Sequence, residues 1–125
     1  MLLSSSAKII IADDLIPMLV ALRRALNQLG FSDIYEGACG NEALTALRAN
    51  PDAALVISDW NMQPMDGIEF LEEIRKDVRF RTLPFILISA ETSPRLQDKA
   101  LAAGANLVLP KPFDAEALRK AIAGL

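Results

Sequence analysis

Short apolar runs alternate along the chain with longer stretches in which apolar residues recur every three or four positions. Continuous apolar runs bounded by turn residues are typical of strands that are buried on both faces. We predict five such strands, at residues 8–12, 33–37, 54–58, 84–89 and 106–109. The second run is the most polar of the five, and we expect it near an edge of the sheet.

Helical periodicity and end signals predict five helices between and after these strands. The predicted helices cover residues 16–29, 41–49, 67–76 and 94–103, and a last helix begins after Asp114. Strands that alternate with helices indicate right-handed crossovers and a parallel sheet with helices on both faces. Within 125 residues, this pattern predicts an α/β fold of the flavodoxin-like, doubly wound (βα)5 type, with strand order 2-1-3-4-5.

The length fits one domain over residues 1–125, with residues 1–6 as a flexible leader. A net charge of −3 gives no basic face for nucleic acid, and we expect the basic residues at 75–81 to form a solvated surface. The chain has no histidine, which removes the commonest general base. One cysteine and no long apolar stretch favour a reducing compartment, the cytoplasm, and no membrane span.

Polar residues follow the predicted strands at the points where they end. Asp13 and Asp14 follow the first strand, and Asp59 follows the third. Ser89 ends the fourth strand, and the fifth leads into Lys111. Because parallel strands share one carboxyl edge, we expect these five side chains to converge.

Three converging carboxylates repel one another, and a divalent cation relieves that repulsion. With oxygen ligands only, the expected ion is Mg²⁺. A lysine and a hydroxyl beside such an ion are suited to stabilising a phosphoryl group. The chain lacks a glycine-rich nucleotide loop, so the predicted acceptor is a carboxylate of the protein itself.

Four segments, IADDL, VISDWNMQPMDG, ISAE and GANLVLPKPF, together resemble the receiver domain of two-component response regulators. The likeness covers residues 8–124 in order and is greatest to the stand-alone chemotaxis regulators. It implies a regulator that takes a phosphoryl group from a histidine kinase or histidine phosphotransfer protein and then changes its partner-binding surface. Such a domain assists its own phosphorylation and dephosphorylation and is not an enzyme acting on other substrates.

The resemblance also implies a role for each matching position. Asp59 is the expected phosphoacceptor, and Ser89 and Lys111 are expected to contact the phosphoryl group. The Lys111–Pro112 peptide is expected to be cis. The implied Mg²⁺ ligands are Asp14 directly, Asp13 through water, Asp59, and the backbone carbonyl of Asn61.

For partners, the resemblance implies an unknown output protein that binds the face formed by the fourth helix, fifth strand and fifth helix. It also implies a monomer or a weak dimer, and a partly exposed Trp60 beside the acidic pocket. Val108 departs from the family, which has an aromatic residue there, so we expect the switch to be transmitted differently. The first helix is apolar most of the way round, which suggests an exposed apolar strip. Two interpretations stand equal: Ile16 and Leu19 help to form the contact with the phosphodonor, or the additional apolar residues belong to the core and to a crystal or dimer contact.

Two other functions are compatible with parts of this pattern. A phosphatase of the haloacid-dehalogenase class also uses an aspartyl phosphate and Mg²⁺, but it needs an Asp-x-Asp pattern, and this chain has adjacent Asp13 and Asp14. A receiver that acts as a constitutive scaffold is favoured by Val108 and opposed by the complete set of acidic residues.

Overall fold

Five parallel strands form one sheet in the computed structural model, which describes residues 3–125. Met1 and Leu2, the start of the predicted leader, lie outside the described residues. The strands are β1 (Ile9–Ala12), β2 (Ile34–Gly37), β3 (Leu55–Asp59), β4 (Phe85–Ser89) and β5 (Leu107–Pro110). Their order is β2-β1-β3-β4-β5, which confirms the predicted fold and the edge position of the polar strand.

Five α-helices and one 3₁₀ helix connect and follow the strands. They are α1 (Ile16–Gln28), α2 (Gly40–Ala49), α3 (Gly67–Lys76), the 3₁₀ helix (Val78–Phe80), α4 (Pro94–Ala103) and α5 (Ala115–Ala123). Side-chain caps mark the starts of α3, α4 and α5, where Asp66, Ser93 and Asp114 each accept a backbone N–H of the following helix. Gly104 ends α4 in a left-handed conformation that glycine adopts without strain.

Two apolar cores lie on opposite faces of the sheet. Successive strand residues point to opposite faces, so Ile10 packs with α2, α3 and α4 while Ile9 and Ile11 pack with α1 and α5. Each helix buries one apolar stripe against the sheet, so the central strands β1, β3 and β4 are buried at every position. Among the described residues, none of the helices is long and apolar enough to cross a membrane.

The orientation of α1 corrects one prediction from the sequence. Leu19 is only 3% exposed and belongs to the core shared with α5, so it cannot form part of an exposed strip. Ile16 is 60% exposed, as predicted, and Leu15 and Val20 are also exposed. The N-cap residue Leu15 and the helix residues Ile16 and Val20 therefore form the exposed apolar surface at the start of this helix, which we call the α1 apolar surface.

Arg75 also differs from the expectation of a solvated basic stretch. Its guanidinium is partly buried and donates to the carbonyls of Phe80, at 2.6 Å, and Gly104, at 2.7 Å. Burial lowers the pKa of this guanidinium. The side chain thus joins the end of α3 to the loop that follows α4, across two segments far apart in sequence.

Candidate functional site

Three carboxylates meet at the carboxyl edge of the sheet. Ala12 of β1 pairs with Ser58 of β3, so Asp13 and Asp59, the residues that directly follow this pair, lie side by side. Asp13, Asp14 and Asp59 each have a carboxylate oxygen within 4.8 Å of the others. Asp13 and Asp59 are buried, whereas Asp14 is exposed. The fold thus assembles a site of high negative charge with one open side.

Lys111 supplies positive charge to this cluster from the end of β5. Its Nζ lies 2.6 Å from Oδ1 of Asp59 and 3.9 Å from Oδ2 of Asp13. The backbone N–H of Lys111 donates to the carbonyl of Ser89 at 2.9 Å, which fixes where the lysine leaves the sheet. The Lys111–Pro112 peptide is cis, as the resemblance implied. The short charge-assisted contact between Lys111 and Asp59 holds the ammonium and the carboxylate in a defined arrangement.

The surroundings of Asp13 shift the pKa of its carboxyl. Burial raises the pKa of the Asp13 carboxyl above its ordinary value, and the neighbouring charge of Asp59 acts in the same direction. A hydrogen bond from the backbone N–H of Leu15 to Asp13 Oδ1, at 3.0 Å, opposes this shift. A nearby cation favours the ionised form of such a carboxyl, so this environment suits a bound positive ion.

Ser89 ends β4 directly beside the cluster. Its side chain is buried, and its Oγ accepts a hydrogen bond from the backbone N–H of Glu91 at 3.0 Å. A hydroxyl can also donate one hydrogen bond, and that capacity is not used in the contact with Glu91. The residue can therefore hold an additional acceptor oxygen placed in the site.

An open cleft of about 510 Å³ gives access to these groups. It is lined by Asp14, Leu15, Asp59, Trp60, Asn61, Ser89, Ala90, Glu91 and Lys111. Trp60 is partly exposed on this cleft, as predicted. Among residues 3–125, its indole N–H is buried and has no hydrogen-bond partner.

Gly67, at the start of α3, fixes the backbone beneath Asp59. Its N–H donates to the carbonyl of Trp60 at 2.8 Å. A Cβ added to Gly67 would lie 2.3 Å from the carbonyl oxygen of Asp59, which itself accepts a hydrogen bond from the Ser58 hydroxyl at 2.9 Å. The helix start and the strand end are therefore in direct backbone contact.

The structure brings together every site residue that the sequence predicted. Asp13, Asp14, Asp59 and Lys111 form one charged group, and Asn61 and Ser89 line the same cleft. Sequence reasoning missed the contact of Gly67 with Asp59, although the Asp-Gly pair that starts the helix is visible in the sequence. It also missed the hydrogen bonds that join Glu91 to its neighbours, because a loop conformation has no periodic signal.

The chain is similar to known proteins over most of its length. Residues 9–123 match the family described as response regulator receiver domain. The chain is 35% identical over 113 residues to the chemotaxis protein CheY1 of Helicobacter pylori, covering 90% of this chain and 91% of that protein.

Solved structures of similar proteins have the same fold. The chemotaxis response regulator CheY4 of Vibrio cholerae superposes with a TM-score of 0.88 at 31% identity, covering 96% of this chain and 99% of that one. A CheY from Borrelia burgdorferi, solved in a complex with CheX, BeF3 and magnesium, gives a TM-score of 0.86 at 27% identity, covering 93% and 86%.

Proposed function

Because this chain belongs to the response regulator receiver family and is of the CheY type, we propose that its Asp59 accepts the phosphoryl group. The observation that carries the proposal is the position of the Asp59 carboxylate. It lies at the end of β3, lines the open cleft, and is 2.6 Å from Nζ of Lys111. Phosphoryl transfer needs an acceptor that faces the donor and is fixed in place; this carboxylate, although mostly buried, borders the cleft and is held by Lys111.

The proposed transfer moves one phosphoryl group between two side chains. The N–P bond of a phosphohistidine on the donor breaks, an O–P bond to the Asp59 carboxylate forms, and the donor imidazole takes up a proton from solvent. The ammonium of Lys111 and the hydroxyl of Ser89 can stabilise the charge on the transferring oxygens. Later attack by water on phosphorus releases inorganic phosphate and restores the carboxylate, so the domain acts on itself and not on a separate substrate.

Receiver domains bind Mg²⁺ at an acidic pocket, and the residues present here fit that ion. Asp13, Asp14 and Asp59 offer carboxylate oxygens within 4.8 Å of one another, the oxygen-only donor set that Mg²⁺ prefers. We assign these three carboxylates and the backbone carbonyl of Asn61 as its ligands. When bound, the ion neutralises negative charge on the carboxylates and on the phosphoryl oxygens.

The phosphodonor, a histidine kinase or a histidine phosphotransfer protein, must reach the cleft from its open side. The α1 apolar surface lies beside that opening, since Leu15 also lines the cleft. A groove of about 630 Å³ continues from Lys111 along Met18, Ala21 and Phe113 between α1 and the start of α5. We assign this region to donor docking, with Ile16 in place of the buried Leu19 as its outer contact.

For output, we propose that one receiver domain over residues 1–125 acts as a stand-alone cytoplasmic regulator, a monomer or weak dimer. The single-domain part of this proposal is supported by the match to CheY1 of Helicobacter pylori, which covers 91% of that protein. The proposed surface that binds the output protein is formed by α4, β5 and α5. Leu101 on α4 is exposed there and lines a small cleft with Val108, so this surface has an apolar patch that a partner can cover.

The test is intact-mass spectrometry after incubation with acetyl phosphate, with and without Mg²⁺. We expect one phosphoryl adduct that requires Mg²⁺ and is absent in Asp59→Asn. The matched control is Asp98→Asn, the same change at an exposed position on α4, which should be labelled like the wild type. Labelling of Asp59→Asn to the wild-type extent would refute the assignment. Failure of the wild type to be labelled by either acetyl phosphate or a phosphorylated histidine donor would favour a constitutive scaffold.

A further inference from the structure

β5 ends in a proline, at a point where its pairing with β4 calls for a backbone donor. The two strands pair in parallel, with Pro110 aligned to Ser89. In a parallel pair the hydrogen bonds are evenly spaced, so every second residue of a strand donates its N–H to the same neighbour. Just before β5 this series begins with Asn106, whose N–H donates to the carbonyl of Phe85 at 2.9 Å. Its regular continuation would give the carbonyl of Ser89 to the N–H of residue 110, and proline has no N–H.

Lys111 supplies the donor that Pro110 lacks. The backbone N–H of Lys111 donates to the carbonyl of Ser89 at 2.9 Å, one residue later than the regular series would place it. The side chain of the same lysine reaches Asp59, with its Nζ 2.6 Å from Oδ1 of the carboxylate. Lys111 therefore contacts the end of β4 through its backbone and the end of β3 through its ammonium.

We propose that Pro110 is a positioning residue that fixes Lys111 for the phosphorylation of Asp59, and this inference rests on that proposed function. Because Pro110 has no N–H, the carbonyl of Ser89 is left to Lys111, and their bond fixes the backbone from which the ammonium reaches the carboxylate. The proline ring also holds φ of residue 110 at about −65°. It keeps Leu109, which is buried in the core, in an extended conformation. The ammonium is thereby held at the acceptor before a phosphodonor arrives, and such advance positioning lowers the barrier to reaction.

A donor gained at position 110 would compete with Lys111 for the carbonyl of Ser89. The backbone of Lys111 would then be released part of the time, and its ammonium would spend less time beside Asp59. Phosphorylation would become slower, because the ammonium would stabilise the transferring oxygens less. Mg²⁺ binding would become stronger, because the ammonium would compete less with the cation for the carboxylates. General damage to the cleft would weaken both, so the two measurements together separate positioning of Lys111 from a merely structural role.

The test compares Pro110→Val, Lys111→Met and the variant that carries both changes. The matched control is Pro51→Val, the same gain of an N–H at an exposed proline in the turn between α2 and the amino end of β3. Phosphorylation by acetyl phosphate is followed by intact mass, and Mg²⁺ affinity is measured by calorimetric titration. Amide hydrogen exchange of Lys111 shows whether its bond to Ser89 persists.

We expect Pro110→Val to be phosphorylated about three- to tenfold more slowly than the wild type and to bind Mg²⁺ about twofold more tightly. The amide of Lys111 should exchange faster in this variant, because its acceptor is shared with a second donor. In the Lys111→Met background the change at Pro110 should alter neither the rate nor the Mg²⁺ affinity, because a residue that acts through another has no separate effect once that one is removed. Pro51→Val should match the wild type in both measurements.

Failure of the inference and failure of the proposed function give different results. Phosphorylation of Pro110→Val as fast as that of Pro51→Val would overturn the role of Pro110 and leave the proposed function standing. Slower phosphorylation with unchanged or weaker Mg²⁺ binding, or an equal slowing in the Lys111→Met background, would also overturn it, since the effect would not act through Lys111. A wild-type protein that neither acetyl phosphate nor a phosphorylated histidine donor labels would contradict the proposed function, and the inference with it.

Discussion

Replacing Gly67 with alanine would put a methyl group where the backbone of β3 already lies. The new Cβ would be 2.3 Å from the carbonyl oxygen of Asp59, 2.7 Å from Cδ1 of Leu87 and 3.0 Å from Cα of Trp60. Real Cβ atoms essentially never approach another atom closer than 3.0 Å. The Leu87 methyl can rotate away, but the Asp59 carbonyl belongs to the strand and is held by its own hydrogen bond.

The size of the effect follows from the displacement that this contact requires. The start of α3 and the end of β3 must separate by at least about 0.7 Å, the difference between the observed and the shortest tolerated distance. Overpacking of this kind costs about 1–3 kcal/mol of folding free energy. Because a 1 Å misplacement of a reacting group can lower a rate about 100-fold, we expect Asp59 phosphorylation to slow by about 10- to 100-fold.

The assay is the rate of phosphorylation by acetyl phosphate, followed by intact mass, together with urea unfolding. Gly30→Ala is the matched control. Gly30 has φ of +95° and no neighbouring atom within 4 Å of an added Cβ. It should lose about 1–2 kcal/mol from backbone strain and keep the wild-type rate. The reasoning is refuted if Gly67→Ala is phosphorylated as fast as Gly30→Ala.

Three further predictions concern other parts of the molecule. Arg75→Met should lower the free energy of unfolding by about 2 kcal/mol, because two charge-assisted hydrogen bonds to carbonyls are lost. The control Arg79→Met removes an exposed ion pair and should lower it by less than about 1 kcal/mol; equal losses in urea unfolding would contradict this prediction. Lys111→Met should bind Mg²⁺ about tenfold more tightly, because an ammonium is removed from the carboxylates, and it should be phosphorylated more slowly. Mg²⁺ affinity is measured by calorimetric titration, and an affinity equal to that of the wild type would contradict this prediction. Leu19→Ala should lower the free energy of unfolding by about 2–5 kcal/mol as a core truncation. Ile16→Ala should leave the free energy of unfolding within about 0.5 kcal/mol of the wild type and slow only transfer from a histidine donor; slower labelling of Ile16→Ala by acetyl phosphate would argue against a docking role.

Most of the fold could be predicted because its signals are local and agree with one another. The bounds of α3 and α4 were predicted to the residue, since each helix begins after a capping side chain and changes to a different pattern at its end. The strands were predicted from continuous apolar runs, with ends that differ by one residue. The placement of Asp13 and Asp59 beside each other followed from topology, because parallel neighbouring strands end at the same edge.

The features that were missed depend on tertiary contacts or on loop conformation. Because α1 is apolar most of the way round, periodicity could not decide whether Leu19 or Ile16 faces the core. The partners of Arg75 are backbone carbonyls, which every residue has, so its burial leaves no mark in the sequence. The close approach of Gly67 to Asp59 and the bonds of Glu91 likewise depend on loop geometry that residue type alone does not specify.

The proposal that Asp59 carries the phosphoryl group is tested by identifying the modified residue. The protein is incubated with acetyl phosphate and Mg²⁺ and treated with sodium borohydride, which reduces an aspartyl phosphate to homoserine. Peptide mass spectrometry then locates the homoserine. We predict homoserine at position 59, dependent on Mg²⁺ and on acetyl phosphate. Homoserine at position 13 or 14, or a phosphorylated protein with none at position 59, would contradict the account.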